Sequence, residues 1–223
     1  PVRASVEPGE VRAALVDGAG PAVLPEDPQP FDALLREIDR VVVPGGTAWQ
    51  QAGFFGYYPA NASLHSVLGD VLSGGLGVQG MSWTTSPAAT EVEQVLLDGL
   101  AHALGLGAAF TFDGGGGGTI ADSASSASLV ALLAALHRSS DGEWRARGVD
   151  GRERVYVTAE THSSLAKAVR VAGLGERALR IVAPGPGTLA MSPDALSAML
   201  ADDVAAGLRP VLVCPTVGTT GTG

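Results

Sequence analysis

RVYVTAETHSSLAKAVRVAGLGERALRIVAPGPGTLAMSPDALSAMLADDVAAGLRPVLV, residues 154 to 213, switches back and forth between two hydrophobic periods. Val155-Tyr156-Val157-Thr158, Arg180-Ile181-Val182 and Val211-Leu212-Val213 are short runs of strand type. Between the first two, Ser163 to Val171 places apolar residues at helical spacing. Between the last two, Ser192-Pro193 offers a cap and first-turn proline for a helix running to Ala206, and Gly207 is placed to end it. Strands alternating with helices over short links give right-handed βαβ units, hence a mostly parallel sheet covered by helices. Ligands of such sheets lie beyond the carboxyl ends of the strands, which is where His162, Thr219 and Thr220 fall.

Upstream, GGTIADSASSASLVALLAALH (117 to 137) joins a glycine run to a strand-like Thr119-Ile120-Ala121, a cluster of small hydroxyl residues and an apolar helix pattern. A helix start leaves backbone N–H groups unpaired at the positive end of the helix dipole, so this one reads as a phosphate cradle. The plainer reading is a capped helix, because serines cap helices everywhere. Gly114 to Gly118 is not a Walker loop, since no Gly-Lys-Ser/Thr follows, and it reads as a connector.

Before it, Ser86-Pro87 marks the start of a long helix, with Thr90 and Glu93 as a capping box one turn later. Val92, Val95, Leu96, Leu100, Ala103 and Leu104 give that helix one apolar face to bury, and Gly105 or Gly107 ends it. Leu64, Val67, Leu68, Val71 and Leu72 form another helical stripe, which Gly74-Gly75 should stop. Phe31, Leu34, Leu35 and Ile38 predict a short helix leading to an exposed turn at Val41 to Gly45. Residues 1 to 30 are proline-rich, with one short apolar segment, and have too little apolar surface to fold alone. The chain thus divides into an N-terminal helical arm, residues 1 to 45, and the first part of a larger α/β domain, residues 46 to 223. WQQAGFFGYYP, 49 to 59, holds five of the eleven aromatic residues. It is either a cover over the core or the wall of a substrate pocket.

Composition narrows the classes. A net charge of −9, with the basic residues scattered singly, makes no footprint for nucleic acid. The single cysteine, Cys214, excludes an intrachain disulfide, and no Cys/His cluster has metal-ligand spacing. No apolar run reaches the length needed to span a bilayer and the first residues lack the pattern of a signal peptide, so the expectation is a soluble cytoplasmic protein.

Six segments, in this order, carry a family resemblance: PFDALLREIDRVVVPGGTAW (30 to 49), FFGYYPANAS (54 to 63), LGVQGMSWTTSPAATEVE (76 to 93), DSASSASLVALLAA (122 to 135), AETHSSLAKA (159 to 168) and PVLVCPTVGTTGTG (210 to 223). From about Leu24 to Gly223 the chain resembles the pyridoxal-phosphate-dependent group II decarboxylases, the relatives of aromatic L-amino-acid decarboxylase. The resemblance implies the three-layer, mostly parallel sheet of the aspartate-aminotransferase-like, fold type I enzymes, incomplete in this chain. It implies pyridoxal 5'-phosphate with its phosphate on Ser123, Ala124 and Ser125, His162 stacked on the pyridine ring as the catalytic residue, and Thr220 beside it. Trp49, Tyr57 and Tyr58 match positions near the substrate side chain, which favours an aromatic or bulky L-amino acid losing CO2 to give the amine. The cofactor ring serves as electron sink.

The family also needs a lysine to hold the cofactor covalently and an aspartate on the pyridine nitrogen, in motifs resembling NPHKW and HVDAA that this chain does not contain. Its only lysine, Lys167, matches a different position and is expected to be a surface or structural residue. The resemblance therefore covers the N-terminal half of such an enzyme. The expected partners are a C-terminal half carrying that lysine and aspartate, a twofold-related copy of the completed unit, and a small amino-acid substrate. Two departures bear on the site: Gln51-Ala52 stands where relatives often have His-Pro, and Asp122 precedes the serines as an expected helix cap. Two other functions fit: a non-catalytic α/β subunit that binds a partner, and decarboxylation coupled to oxidative deamination in the same family.

Overall fold

The computed structural model describes residues 4–16, 27–57, 62–219 and 221. They form two compact units, Pro1–Leu72 and Ser73–Gly223, each considered by itself.

In the first unit, α1 (Glu10–Leu15) precedes α2 (Phe31–Glu37), which passes through a π-helical turn at Ile38–Val42 into the short α3 (Val43–Gly45). The exposed turn expected at Val41 to Gly45 is helical instead. Pro44 has no N–H for the helix, and the turn before it has widened so that the Val43 N–H reaches the carbonyl of Ile38, five residues back. Val41 is buried there. The helix α4 (Leu64–Leu76), within which the division between the units falls, runs straight through Gly74-Gly75, which were expected to stop it. A helix-interior glycine costs only about 1 kcal/mol, and the stop comes at Gly77, which takes a left-handed φ of 62°.

The second unit opens with α5 (Pro87–Ala103), Pro87 at its first turn as the sequence indicates, and Gly105 at φ 68° beyond its end. The capping box at Thr90 and Glu93 does not form, because Thr90 lies inside the helix with its hydroxyl donating back to the carbonyl of Ser86. Glu93 instead reaches out: its Oε1 accepts from the Ile120 N–H at 2.6 Å. That contact pins residues 119 to 121 in an irregular extended path, in place of a strand. The apolar face of α5 is not buried by any described residue; Val92, Val95, Leu96 and Leu100 are each more than half exposed.

The glycine run is no slack connector either. It folds back on the 3-10 turn Ala108–Phe110 so tightly that a Cβ on Gly114 would stand 1.8 Å from the Ala108 carbonyl oxygen, and one on Gly116 2.0 Å from that of Ala109. Only hydrogen fits at those two positions.

Then come α6 (Ala124–Ser139), α7 (Trp144–Arg147), β1 (Glu153–Val157), α8 (Ser164–Val171), β2 (Leu179–Ile181), α9 (Pro193–Ala205) and β3 (Arg209–Val213). The strands form one parallel sheet in the order β2-β1-β3, with β1 central. Right-handed crossovers put helices on opposite faces when the chain steps first one way and then the other along a sheet, and the order here requires that reversal. Val155 and Val157 of β1 face α6 and α8, packing on Leu132, Leu136, Leu165, Ala168 and Val169. Tyr156, between them, points to the other face, where its hydroxyl donates to Asp203 of α9 at 2.8 Å. Three layers result, helices on both sides of a parallel sheet, as the alternating pattern implied.

Candidate functional site

The expected site residues come from loops far apart in sequence, and the sheet decides where those loops end. At the lower edge, Ser139 and Ser140 of the α6 C-terminus share a groove of about 400 Å³ with Arg152, Glu153 and Arg209, at the beginnings of β1 and β3. A helix of 16 residues is about 24 Å long, more than the height of a five-residue strand. With its C-terminus at the strand beginnings, α6 must run antiparallel to the strands and present its N-terminus at the strand ends. Ser123, Ala124 and Ser125 therefore emerge on the same edge of the sheet as the loops that follow β1 and β3.

At that helix start Ser123 is the N-cap, extended at φ −156° and ψ 158°, with its Oγ accepting from the Ser126 N–H at 3.2 Å. Asp122, expected as the cap, is exposed and takes no part in it, because the extended backbone of the next residue aims the serine hydroxyl at the first turn. Among the described residues nothing accepts from the N–H groups of Ala124 and Ser125, and both residues are exposed. Two donors at the positive end of a four-turn helix are the chemistry a phosphate dianion needs.

His162 follows β1 and leads into α8. Its Nδ1 accepts from the Ser164 N–H at 3.2 Å, which fixes the proton of the neutral ring on Nε2. The residue is otherwise exposed and lines a cleft of about 190 Å³ with Thr158, Thr161 and Leu165. The loop is braced by hydroxyls that sequence reasoning did not single out. Thr161 Oγ1 accepts from the Thr158 N–H at 3.0 Å, meets Thr158 Oγ1 at 3.2 Å, and meets Thr216 Oγ1 of the loop after β3 at 3.3 Å. The last of these joins residues 55 apart in sequence, and no local pattern announces such a pair. Thr219 lies in that second loop, half-buried; Thr220 lies outside the described residues.

Beneath these loops the platform is stiff. Asp203 is buried and accepts from Tyr156 Oη, from Arg180 Nε at 2.9 Å and from Arg180 Nη2. The Arg180 guanidinium holds the Asp203 carboxyl below the usual carboxylate range, against the opposing pull of burial. Burial first, and then the Asp203 carboxylate, push the Tyr156 hydroxyl well above the usual phenol range. One carboxylate thus ties the centre of the sheet, an edge strand and α9 together.

In the first unit, Trp49 stacks on Phe54 with ring centroids 4.7 Å apart and on Tyr57 at 5.5 Å. Tyr57 is largely exposed and adopts a left-handed φ of 57°, uncommon for a bulky residue. Tyr58 lies outside the described residues. Gln51 is exposed, its N–H donating to the Ala48 carbonyl. Lys167 is exposed on α8, as a surface residue should be. No group of three or more His, Cys, Asp or Glu able to hold a metal occurs among the described residues. No helix among them is long and apolar enough to cross a membrane.

Comparison with known proteins bears on this arrangement. The model of a family described as the pyridoxal-dependent decarboxylase conserved domain matches residues 11–223. Phenylacetaldehyde synthase of Arabidopsis thaliana is 41% identical over 223 residues, covering 99% of this chain and 44% of that protein. Tryptophan decarboxylase 2 of Oryza sativa subsp. japonica is 40% identical over 223 residues, 99% of this chain and 43% of that protein. Among solved structures, Catharanthus roseus tryptophan decarboxylase in complex with L-tryptophan matches with a TM-score of 0.86 at 35% identity, over 99% of this chain and 46% of that one. The chain spans less than half the length of the curated relatives it matches.

Proposed function

The chain belongs to the pyridoxal-dependent decarboxylase family, and from that premise we propose that it forms the phosphate-binding and ring-stacking part of an enzyme that decarboxylates an aromatic L-amino acid to its amine. What supports the reading is the open α6 N-terminus: with the α6 C-terminus at the strand beginnings, the helix start is directed toward the edge of the sheet where His162 follows β1. Ala124 and Ser125 would donate their free N–H groups to the phosphate of pyridoxal phosphate, with Ser123 holding the turn that aims them. His162 would lie against the pyridine ring, its orientation fixed by the Ser164 N–H. When bound, the cofactor supplies an electron sink for the pair left as the carboxylate departs. This chain's residues would bind the phosphate and fix the orientation of the ring against the bond that breaks.

The stacked, exposed rings of Trp49 and Tyr57 support an assignment to recognition of an aromatic side chain, to which Tyr58 would add. The covalent lysine and the aspartate for the pyridine nitrogen come, in this proposal, from polypeptide beyond these residues, since the single lysine, Lys167, is exposed on α8 and matches a different position. The completed unit would pair with a second copy. Decarboxylation linked to oxidative deamination is a second reading, favoured by the phenylacetaldehyde synthase at 41% identity.

The test is to load the protein carrying this chain with pyridoxal phosphate and measure both amine and aldehyde released from a panel of L-amino acids. Amine from tryptophan, tyrosine or phenylalanine is the expected result. Aldehyde with peroxide selects the second reading, and turnover of acidic substrates alone refutes the aromatic assignment. Ala124→Pro sharpens the phosphate claim, because proline is tolerated at the first position of a helix while deleting one donor. Cofactor affinity should fall about tenfold or more, with the thermal midpoint of the apoprotein nearly unchanged.

A further inference from the structure

The hydroxyl that joins the two loops at the candidate site has no role in the reading above. Thr161 Oγ1 has one proton to give and two lone pairs to offer, and it has three partners: the Thr158 N–H, Thr158 Oγ1 and Thr216 Oγ1. Its capacity is fully used. The Thr161 N–H in turn donates to the Thr158 carbonyl at 3.2 Å, so the turn from Thr158 to Thr161 is closed from both sides. That turn starts from a buried strand end: Thr158 is 5% exposed, and Tyr156 two residues earlier is hydrogen-bonded to Asp203.

His162 is the next residue after this turn. Among the described residues its own side chain hydrogen-bonds only the N–H of Ser164, the first residue of α8, and makes no hydrogen bond to the loop after β3. The relation is made by Thr161 and Thr216. The loop after β3 carries Thr219 three residues further on. The strand order β2-β1-β3 makes the gap between β1 and β3 the place where the chain's direction along the sheet reverses, and open α/β sheets hold ligands in such gaps. A hydrogen bond across the gap sets its width.

We infer that Thr161 is a positioning residue: through Thr216 it locks the His162 loop to the loop after β3 and so sets where the His162 ring stands against a bound aromatic cofactor. The inference rests on the proposed binding of pyridoxal phosphate. A threonine hydroxyl at this place needs no chemistry of its own, and a serine, which keeps the hydroxyl and loses the methyl, should serve as well. A valine has the shape of threonine and makes none of the three bonds.

The experiment compares Thr161→Val, Thr161→Ser, Thr216→Val and the double valine variant in the protein carrying this chain. Two readouts are taken: pyridoxal phosphate affinity, followed by quenching of tryptophan fluorescence, and the visible circular dichroism of the bound cofactor at saturation, which reports the asymmetry of its surroundings. Thr161→Val and Thr216→Val should each weaken affinity by about tenfold, the worth of one hydrogen bond, and lower the dichroic band. Thr161→Ser should stay within about twofold of wild type, and the double variant should be no weaker than Thr161→Val, since both members serve one bond. Thr216→Val leaves the Thr158 to Thr161 turn intact and carries the test alone if Thr161→Val does not fold. Unchanged affinity and dichroism in Thr216→Val, with only a lowered thermal midpoint, overturns the inference and leaves the cofactor site standing. A wild-type protein that takes up no pyridoxal phosphate overturns both.

Discussion

Replacing Asp203 by alanine tests whether the sheet beneath the site is held by one buried carboxylate. Asp203 is 2% exposed and accepts from Tyr156, which is completely buried, and from two nitrogens of Arg180, whose side chain is 37% exposed. The two partners lose different amounts. The Tyr156 hydroxyl has nowhere to turn, and a buried donor left without an acceptor costs about 1–3 kcal/mol. The guanidinium can recover water on its open side, so its loss is nearer that of an ordinary charged hydrogen bond, about 1–2 kcal/mol. Alanine returns roughly 0.5 kcal/mol of helix propensity in α9. The sum is a destabilisation of about 2–4 kcal/mol, at or below the usual range for breaking a buried ion pair.

Denaturant unfolding at pH 7 reads that number, and pH separates its origin. Asp203 titrates below the ordinary carboxylate value in the folded protein. Its stabilisation is therefore complete above the unfolded-state pKa of about 3.9 and is lost as pH falls through the lower folded value. The gap between wild type and Asp203→Ala should hold steady from pH 7 to pH 5 and narrow below pH 4. Tyr156→Phe separates the two partners: alone it should cost about 1–2 kcal/mol. Combined with Asp203→Ala it should cost nothing more, because the orphaned hydroxyl is gone. Additive losses in the double variant, or a gap under 0.5 kcal/mol at pH 7, which is about a third of one hydrogen bond, would refute the reasoning.

Three further outcomes follow from the geometry. Gly114→Ala should lower the thermal midpoint far more than Gly115→Ala: the first drives a methyl into the Ala108 carbonyl, while the second has open space and pays only for a left-handed φ of 82°, about 1 kcal/mol. Equal shifts in differential scanning would show that the glycine run is slack after all. Ser192→Ala removes the oxygen that accepts from the Ala195 N–H at 3.2 Å and should cost about 1 kcal/mol in denaturant unfolding, whereas Ser192→Asp should restore it. Burial pushes the Cys214 thiol up, so its alkylation near neutral pH should be slower than that of an exposed thiol and reach the ordinary rate in denaturant; fast labelling of the folded protein contradicts the packing of Cys214 on the core.

What the sequence made legible follows from the range of the forces involved. Strand and helix alternation between residues 154 and 213 is written in local periodicity, and the parallel sheet with covered faces is its direct consequence. Ser192 capping α9 and Ser123 capping α6 are equally local. Two of the misreadings have a long-range cause. Glu93 looked like half of a capping box and bonds Ile120 instead, 27 residues away. Gly114 to Gly118 looked like a connector because composition says nothing of the Ala108 and Ala109 carbonyls packed against it. Gly74-Gly75 looked like a stop because glycine is a weak helix former, but the weakness is small beside the positive φ that Gly77 takes.

The candidate site shows the same division more sharply. Each of Ser123, His162 and Thr219 is conspicuous in its own segment, as a hydroxyl at a helix start or a polar residue after a strand. Which of their segments become neighbours is not local at all, and for the loops after β1 and β3 it depends on strand order. Had the strands followed the order β1-β2-β3, both crossover helices would have lain on one face, β1 would have been an edge strand, and the loops after β1 and β3 would have stood two strands apart, about 10 Å. Two threonine hydroxyls cannot bridge that distance. Because β3 instead returns to the free side of β1, the loops after β1 and β3 become neighbours, and Thr161 and Thr216 come within 3.3 Å. The hydrogen bond between those threonines is therefore a record of the reversal in strand order, and open α/β sheets as a class hold their ligands at such reversals.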